Sequence, residues 1–414
     1  MTDNRTQAAK RPVQPVLGIL TLYLNDNKQL EERPVYQQMT VAAKRLGLDV
    51  FVFTPEDVHF QSDRIHALFY DTGSKRWVRR WTAFPTMIFD RCRMQKSKRF
   101  ELLQKFRARY AGHLFLNRPI RNKWTVYRTL IQDSRFRPHL PQTRLYDTGG
   151  DLASMIRKYP LIYLKPAGGT GGRGILRIQR ENGGMLFIQG RDRSRRIIAP
   201  QRVRSSELPG RLASWNLKAN RYLVQQGIQL TLDNGRVHDY RMLVQKNGEG
   251  QWEVTGCAGR VGAPRSVTSN LHGGGQAWGM DALLRQWIGS ETRIAGIKRR
   301  AEQFGKDVAA YLDDSYGALC ELALDLAIDK SGQIWLLEVN PKPAREVFAR
   351  SGEKETYRKA IVRPLEYAMW LYRRRNRSRQ GTLHTRSVTD TCTVSQTYRA
   401  AGSTGDITKA PELD

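Results

Sequence analysis

Two carboxylates and an amide have the types and spacing to act together: Asp325, Glu338 and Asn340, in two apolar runs joined by Asp329-Lys330-Ser331-Gly332. Those four residues form a good hairpin turn, so residues 319–328 and 333–340 are expected to pair as antiparallel strands. Side chains alternate across a strand, so Glu338 and Asn340 share a face. Centring the turn pairs Ile328 with Gln333, and therefore Ala323 with Glu338. Asp325 then falls on the same face, one diagonal step from Glu338. The neighbours Leu322, Leu324, Leu326, Trp335, Leu336 and Leu337 are apolar, and carboxylates in such a setting need compensation. A cation between them supplies it, and hard oxygen donors of this kind suit Mg²⁺, which keeps waters and nucleotide phosphates as its other ligands. The competing reading is an acidic strand face in solvent. Glu321 shares the face but lies farther along, and is expected as a supporting or solvent-side residue.

A second cluster lies upstream. Lys165 stands near the end of the apolar run 161–166 and is followed by Ala167-Gly168-Gly169-Thr170-Gly171-Gly172-Arg173-Gly174, after which residues 175–178 read as a strand again. Glycines let backbone N–H groups approach phosphate oxygens, and a lysine at the strand end adds a point charge. The stretch is not a Walker A loop, since it lacks the GK[ST] ending and a strand follows it. A plain flexible hairpin tip would look similar. Lys123 opens a helical stretch, 123–132, that Pro138 and Pro141 terminate.

The elements that must position these residues fall into four stretches. Residues 14–115 hold apolar strands at 16–24, 48–53 and 86–90, with a helix at 34–46 and a basic helix at 96–110. This order suggests a parallel α/β domain. Residues 116–215 hold the glycine-rich hairpin, and 216–372 hold strands at 222–226, 239–245 and 252–261, a helix at 291–312, the acidic hairpin and a last helix at 356–372. From 373 to 414 apolar periodicity vanishes, which reads as a disordered basic tail. No internal repeat is visible.

Composition bounds the function. Lys and Arg number 69 against 39 Asp and Glu, a net charge of +30, so polyanions such as anionic polymers are expected partners. The charge is spread along the chain and reads as solvated faces rather than a specific nucleic-acid platform. Four scattered cysteines form no CxxC pair, so neither zinc nor a disulfide framework is indicated. No apolar run approaches the roughly 20 residues that span a bilayer, and the first residues lack a signal-peptide core; a soluble, cytoplasmic protein is expected.

Lys123, Lys165 with its glycine loop, the short strand ending Gln225-Gln226-Gly227-Ile228, and the D…ExN arrangement of Asp325, Glu338 and Asn340 occur in an order that resembles the ATP-grasp superfamily. D-alanine–D-alanine ligase, glutathione synthetase and the ribosomal-protein glutamate ligases are members. The resemblance spans about residues 117–343. Over the whole chain, the stretches LGILTLYL, FLNRPIRNKW, LKPAGGTGGRGI, HDYRMLVQK, SNLHGGG and LLEVNPKP resemble the YheC/YheD endospore coat-associated family. The resemblance implies an α+β ATP-grasp fold, with residues 14–115 as a pre-ATP-grasp-like domain and two subdomains clasping ATP. It implies that Lys123 and Lys165 contact ATP phosphates, that Gly168, Gly169, Gly171 and Gly172 close over them, and that Gln225, Gln226 and Ile228 present the hinge to adenine. Many ATP-grasp enzymes carry a glutamate in that hinge; here Gln225 and Gln226 stand there, and the ribose carboxylate is open, with Asp233 a loose candidate. Arg241, Arg260 and Asn270 would line the reaction centre, and His272 lies beside Asn270. Asn117, Arg118 and Trp124 are expected to hold the start of the helix at Lys123. The implied activity is Mg²⁺- and ATP-dependent ligation of a carboxylate to an amine or another nucleophile through an acyl phosphate, linked to the spore coat. A structural coat protein that keeps the fold without turnover, and a polyanion-binding protein, are the other readings.

Overall fold

The computed structural model describes residues 14–93, 97–120, 122–168, 172–194 and 196–388. Residues up to Tyr372 form one compact unit and a second begins at Arg373. The segment from Arg373 that was expected to be disordered is helical as far as Val388.

The chain opens with β1 (Val16–Leu20), α1 (Arg33–Arg45), β2 (Asp49–Phe53), β3 (Val58–His59), β4 (Arg64–Asp71), β5 (Arg76–Ala83), β6 (Met87–Asp90), α2 (Lys98–Arg109) and β7 (Leu114–Leu116). β1 runs parallel to β2 and β6, and β6 parallel to β7, as the strand–helix–strand order predicts. Leu17, Ile19, Val52, Met87 and Phe89 are fully buried, which suits near-continuous apolar strands covered on both faces. The hairpin β4–β5, absent from the sequence-based expectation, extends the sheet antiparallel through β2.

Next come α3 (Lys123–Leu130), β8 (Thr143–Leu145), α4 (Gly149–Lys158), β9 (Leu161–Pro166), β10 (Ile175–Arg180), β11 (Met185–Arg191), β12 (Ile197–Arg204), α5 (Leu208–Leu212) and β13 (Tyr222–Gln226). The strands make an antiparallel sheet in the order β12-β11-β10-β9-β13-β8. Leu152 and Met155 of α4 pack on Ile162, Leu164, Ile178 and Val224 of this sheet.

The third sheet is built from β14 (His238–Lys246), β15 (Trp252–Val261), β16 (Gln276–Gly279), β17 (Glu321–Ile328) and β18 (Ile334–Asn340), in the order β16-β15-β14-β17-β18. Helices α6 (Met280–Ile288) and α7 (Glu291–Tyr316) precede β17, and α8 (Glu346–Arg350) and α9 (Lys354–Val388) follow β18. The buried residues of α7 recur at Ile294, Ile297, Ala301, Phe304, Val308 and Leu312, the three- and four-residue spacing of one helical face. That face packs against Leu322, Leu324, Leu326 and Ile328 of β17. Full burial of each such leucine or isoleucine contributes roughly 1.5–3 kcal/mol. Every residue of β17 is buried, so Ala323, Asp325 and Ala327 must be covered from the other side, and there the site forms.

Candidate functional site

The acidic hairpin forms, but in a different register from the one a centred turn implies. Ile328 pairs with Ile334, not Gln333. The connection is a three-residue loop in which Asp329 N–H donates to Gln333 O at 3.1 Å and Gly332 N–H to Asp329 O at 2.9 Å. Gly332 takes φ +86°, the left-handed conformation that closes such a loop. Continued regularly, that register would set Asp325 opposite Leu337 and turn Glu338 to the far face. A bulge between Asp325 and Leu326 intervenes, and Asp325 pairs directly with Glu338 and Ala323 with Asn340. The extra residue restores the parity of the side chains. The carboxylates therefore share a face, directly opposed rather than diagonal.

Asp325 does not face an open cation gap. Its cross-strand neighbour Arg241 donates from Nε to Oδ1 at 2.8 Å and from Nη2 to Oδ2 at 2.9 Å. Arg260 Nη2 lies 3.0 Å from Oδ2 and Asn340 Nδ2 3.5 Å from it. Burial alone would raise the Asp325 carboxyl, but the two guanidiniums hold it down at about 2. Arg260 is fixed by Asp239, through Nε–Oδ1 at 2.7 Å and Nη2–Oδ2 at 2.5 Å. Thus Arg241 pairs with Asp325, and Arg260 with both Asp239 and Asp325.

Asn122 accepts from Thr125 N–H at 3.1 Å and caps α3, which sets Lys123 at its first position. Lys123 Nζ reaches Glu338 Oε2 at 3.3 Å, both side chains partly exposed. Lys165, 9% exposed, donates to Leu337 O at 3.2 Å. Burial, reinforced by the neighbouring Lys123 charge, lowers its pKa to about 8. Lys123, Lys165, Arg241 and Arg260 stand against Asp239, Asp325 and Glu338, which leaves the cluster with an excess of positive charge.

Two cavities meet here. One of about 370 Å³ is bounded by Lys123, Gly168, Arg241, Arg260, Asn270 and Asn340, among others, and extends to Arg93 and Phe100 of the first domain. The other, of about 140 Å³, is lined by Tyr163, Lys165, Gln225, Gln226, Ile228 and Asp325, among others. Arg260, Asn270 and Glu338 border both. Gly172 has φ +73°, a left-handed conformation that favours glycine, and a Cβ there would stand 2.7 Å from Asn270 Nδ2, so the hairpin tip closely approaches the loop at Asn270. Gly169 and Gly171 lie outside the described residues.

The YheC/D like ATP-grasp family model matches residues 112–371. The chain belongs to this ATP-grasp family. Two curated relatives from Bacillus subtilis (strain 168) are similar along most of its length: endospore coat-associated protein YheC is 27% identical, covering 86% of this chain and 96% of YheC. Endospore coat-associated protein YheD is 25% identical, covering 87% of this chain and 79% of YheD. Among solved structures, D-cycloserine synthetase DcsG is similar over 85% of this chain and 99% of that one, at 14% identity and TM-score 0.48.

In this ATP-grasp chain the fold gathers Lys123, Lys165, Gly168, Gln225, Gln226, Ile228, Arg241, Arg260, Asn270, Asp325, Glu338 and Asn340 around the paired cavities. His272 lines the larger cavity. Asp233 sits exposed in the turn that follows Leu232, apart from both cavity linings. Glu321 is not on a solvent side: it is fully buried and bound by Arg345 at 2.5 Å and by Arg91. Asn122, not Asn117, caps α3; Asn117 instead donates to Pro341 O and accepts from Cys320 and Glu321 N–H. Among the described residues no helix is long and apolar enough to cross a membrane.

Proposed function

We propose that the chain is an Mg²⁺- and ATP-dependent ligase that joins a carboxylate to an amine or another nucleophile. The observation that supports it is the convergence of Lys123, Lys165, Arg241 and Arg260 with Asp325, Glu338 and Asn340 where the two cavities meet. The smaller cavity offers the hinge residues Gln225 to Ile228 to a base and Lys165 to phosphates. The larger one leaves room for the acceptor, towards Arg93 and Phe100 of the first domain.

Glu338 and Asn340 fit Mg²⁺ as oxygen donors. Glu338 holds one cation contact at 3.3 Å, whereas both oxygens of Asp325 are engaged, Oδ1 by Arg241 Nε and Nη2 at 2.8 Å and Oδ2 by Arg241 and Arg260. Asn340 offers an amide oxygen on the same face, opposite Ala323. Glu338 and Asn340 would hold the ion, Asp325 would join them only through an oxygen it shares with Arg241, and the ion would supply charge neutralisation at the phosphates. Lys123 and Lys165 would bind the phosphate oxygens as point charges. Arg241 and Arg260, locked by Asp325 and Asp239, present oriented donors to charge developing on the transferred group and lose little by reorganising. In the first half-reaction a substrate carboxylate oxygen attacks the γ-phosphorus and ADP leaves. In the second the nucleophile attacks the acyl carbon, phosphate leaves, and the nucleophile gives up its proton. The relatives' names extend the proposal to association with the endospore coat.

The test is calorimetric ATP binding with and without Mg²⁺ for wild type and for the double change Glu338→Ala with Asn340→Ala. Mg²⁺-dependent affinity is expected to fall at least about tenfold; equal binding by both proteins, independent of metal, overturns the site. ADP release over a panel of carboxylates and amines separates a ligase from a coat protein that binds without turnover.

A further inference from the structure

The hairpin β4–β5 leaves one long strand edge open. β5 pairs with β4 along its full length, from Asp71–Arg76 to Arg64–Ala83, and among the described residues no strand lies on its other side. Every second residue of such an edge points its N–H and C=O outward, a template for one more strand. Other sheet margins are blunted: β12 carries Pro200 in its middle, and β7 and β8 are three residues each. β5 has eight residues and no proline.

The two faces of β5 differ in chemistry. Arg76 and Arg80 share one face and are exposed. Asp71, which pairs opposite Arg76, accepts instead from Gly73 N–H at 2.8 Å. Arg80 lies over the Phe69 ring at 5.7 Å, and neither arginine has a carboxylate partner among the described residues. On the other face Trp77 is half-exposed, and Trp81 is 52% exposed and stacked on His66 at 5.0 Å. Between the tryptophans Arg79 is spent on Asp57 at 2.9 Å. Tryptophan is mostly buried in folded chains, and where it lies on a surface it is a frequent anchor for a partner.

We propose that the outer edge of β5 takes up an extended acidic peptide as an added strand. Its acidic residues would lie on the Arg76–Arg80 face and its apolar residues on the Trp77–Trp81 face. The main-chain groups of the edge hold the incoming backbone, and the alternation of its side chains supplies the selection. Charge decides among occupants. A second copy of β5 would bring arginine against arginine, the device by which edges resist self-pairing. A nucleic acid or an anionic lipid surface would meet the arginines but has no strand of amide groups to fill the edge. A peptide of alternating acidic and apolar residues satisfies both. No residue of β5 lines either cavity at Asp325, so the proposal does not depend on the ligase reading.

The experiment is calorimetric titration of the full chain with a synthetic, end-capped octapeptide that alternates glutamate and valine. The comparisons are its lysine–valine counterpart and the glutamate peptide N-methylated at every backbone nitrogen. The glutamate peptide is expected to bind at least about tenfold more tightly than either. Arg76→Glu with Arg80→Glu is expected to reverse the preference between glutamate and lysine peptides, and Trp81→Ala to weaken binding about tenfold. The three-peptide comparison on wild type needs no variant, and it stands if the double change disturbs the hairpin. Equal binding of the glutamate peptide and its N-methylated form would mean that the arginines take polyanions by charge alone, which overturns the added strand. Absence of binding by the glutamate peptide, or equal binding of the glutamate and lysine peptides, also overturns it.

Discussion

Lys165 is a buried ammonium whose oxygen partner is a backbone carbonyl, Leu337 O, and whose neighbour Lys123 shares its sign. Burial and that neighbour bring its pKa down to about 8, against about 10.4 in an unfolded chain. Between these values the unfolded state binds the extra proton, so this group's contribution to stability rises with pH across that window and is flat below it. A phosphate placed against Lys165 reverses the shift by favouring the charged form. ATP binding near pH 8 is therefore expected to take up a proton, and affinity is expected to fall as pH rises past about 8. Calorimetry in buffers of different ionisation enthalpy measures the uptake directly, and Lys165→Met should abolish it. Uptake that survives in that variant would assign the proton to another group. Arg260 cannot play this part: burial opposes its charge, but Asp239 and Asp325 raise its already high pKa.

At the scale of the element, the placing of Glu338 depends on one inserted residue. Deleting Leu337 removes the extra residue and lets the regular register of Ile328–Ile334 run on with Asp325 still opposite Glu338, whereas one alanine inserted after Leu337 pushes Glu338 a step further along. Side chains beyond the deletion keep their faces, and those beyond the insertion change them. Mg²⁺-dependent ATP binding is expected to stay within about tenfold of wild type in the deletion variant and to drop about a hundredfold or more in the insertion variant. Leu337→Ala, which keeps the residue count, is expected to bind within about tenfold of wild type and to lose about 1–3 kcal/mol of stability in urea. Binding retained by the insertion variant would show that this register does not set the site. This element also marks the limit of what could be read from the letters. Both strands of the hairpin and the common face of Asp325, Glu338 and Asn340 were legible from alternation and turn composition. The register was not, because a three-residue loop closing on Gly332 and a bulge each shift it by one, and neither leaves a mark beyond a glycine that a symmetric turn would also use. The partner of Asp239 escaped for a related reason: it is Arg260, opposite on β15, and the pairing of the two strands is not written in the letters. The parallel core of the first domain was readable from apolar strands and an intervening helix, whereas the β4–β5 hairpin, rich in arginine and tryptophan and largely half-exposed, carried no clean alternation.

For the molecule up to Tyr372, three sheets behave as one compact unit, and a buried ionic cluster explains why. Arg91, at the end of β6, contacts Glu32 at 2.6 Å and also Glu321. Glu321 in turn binds Arg345 at 2.5 Å and accepts from Gln245 Nε2 at 3.0 Å. Arg91, Arg345 and Glu321 are at most 2% exposed. Beside them Lys342 donates to the carbonyls of Asp90 and Asn117, and so ties the loop after Asn340 to the first domain. The two arginines and two glutamates balance, so the cluster tolerates burial as a set but not the loss of one member. Glu321→Gln would strand one positive charge and is expected to cost about 3–5 kcal/mol. For a chain of this size that lowers the midpoint of thermal unfolding by roughly 4–6 °C. Because the cluster spans the first domain and the third sheet, the single transition expected of wild type should also broaden or split, as the first domain loses its hold on the rest. Adding Arg345→Met removes one charge of the other sign and restores the balance of Arg91 with Glu32, so the double variant should regain much of the lost stability. Differential scanning calorimetry of wild type and both variants measures this. A Glu321→Gln protein that melts within 1 °C of wild type in one sharp transition would place the coupling of the domains elsewhere, in the apolar contacts of α9 with β1 and β2.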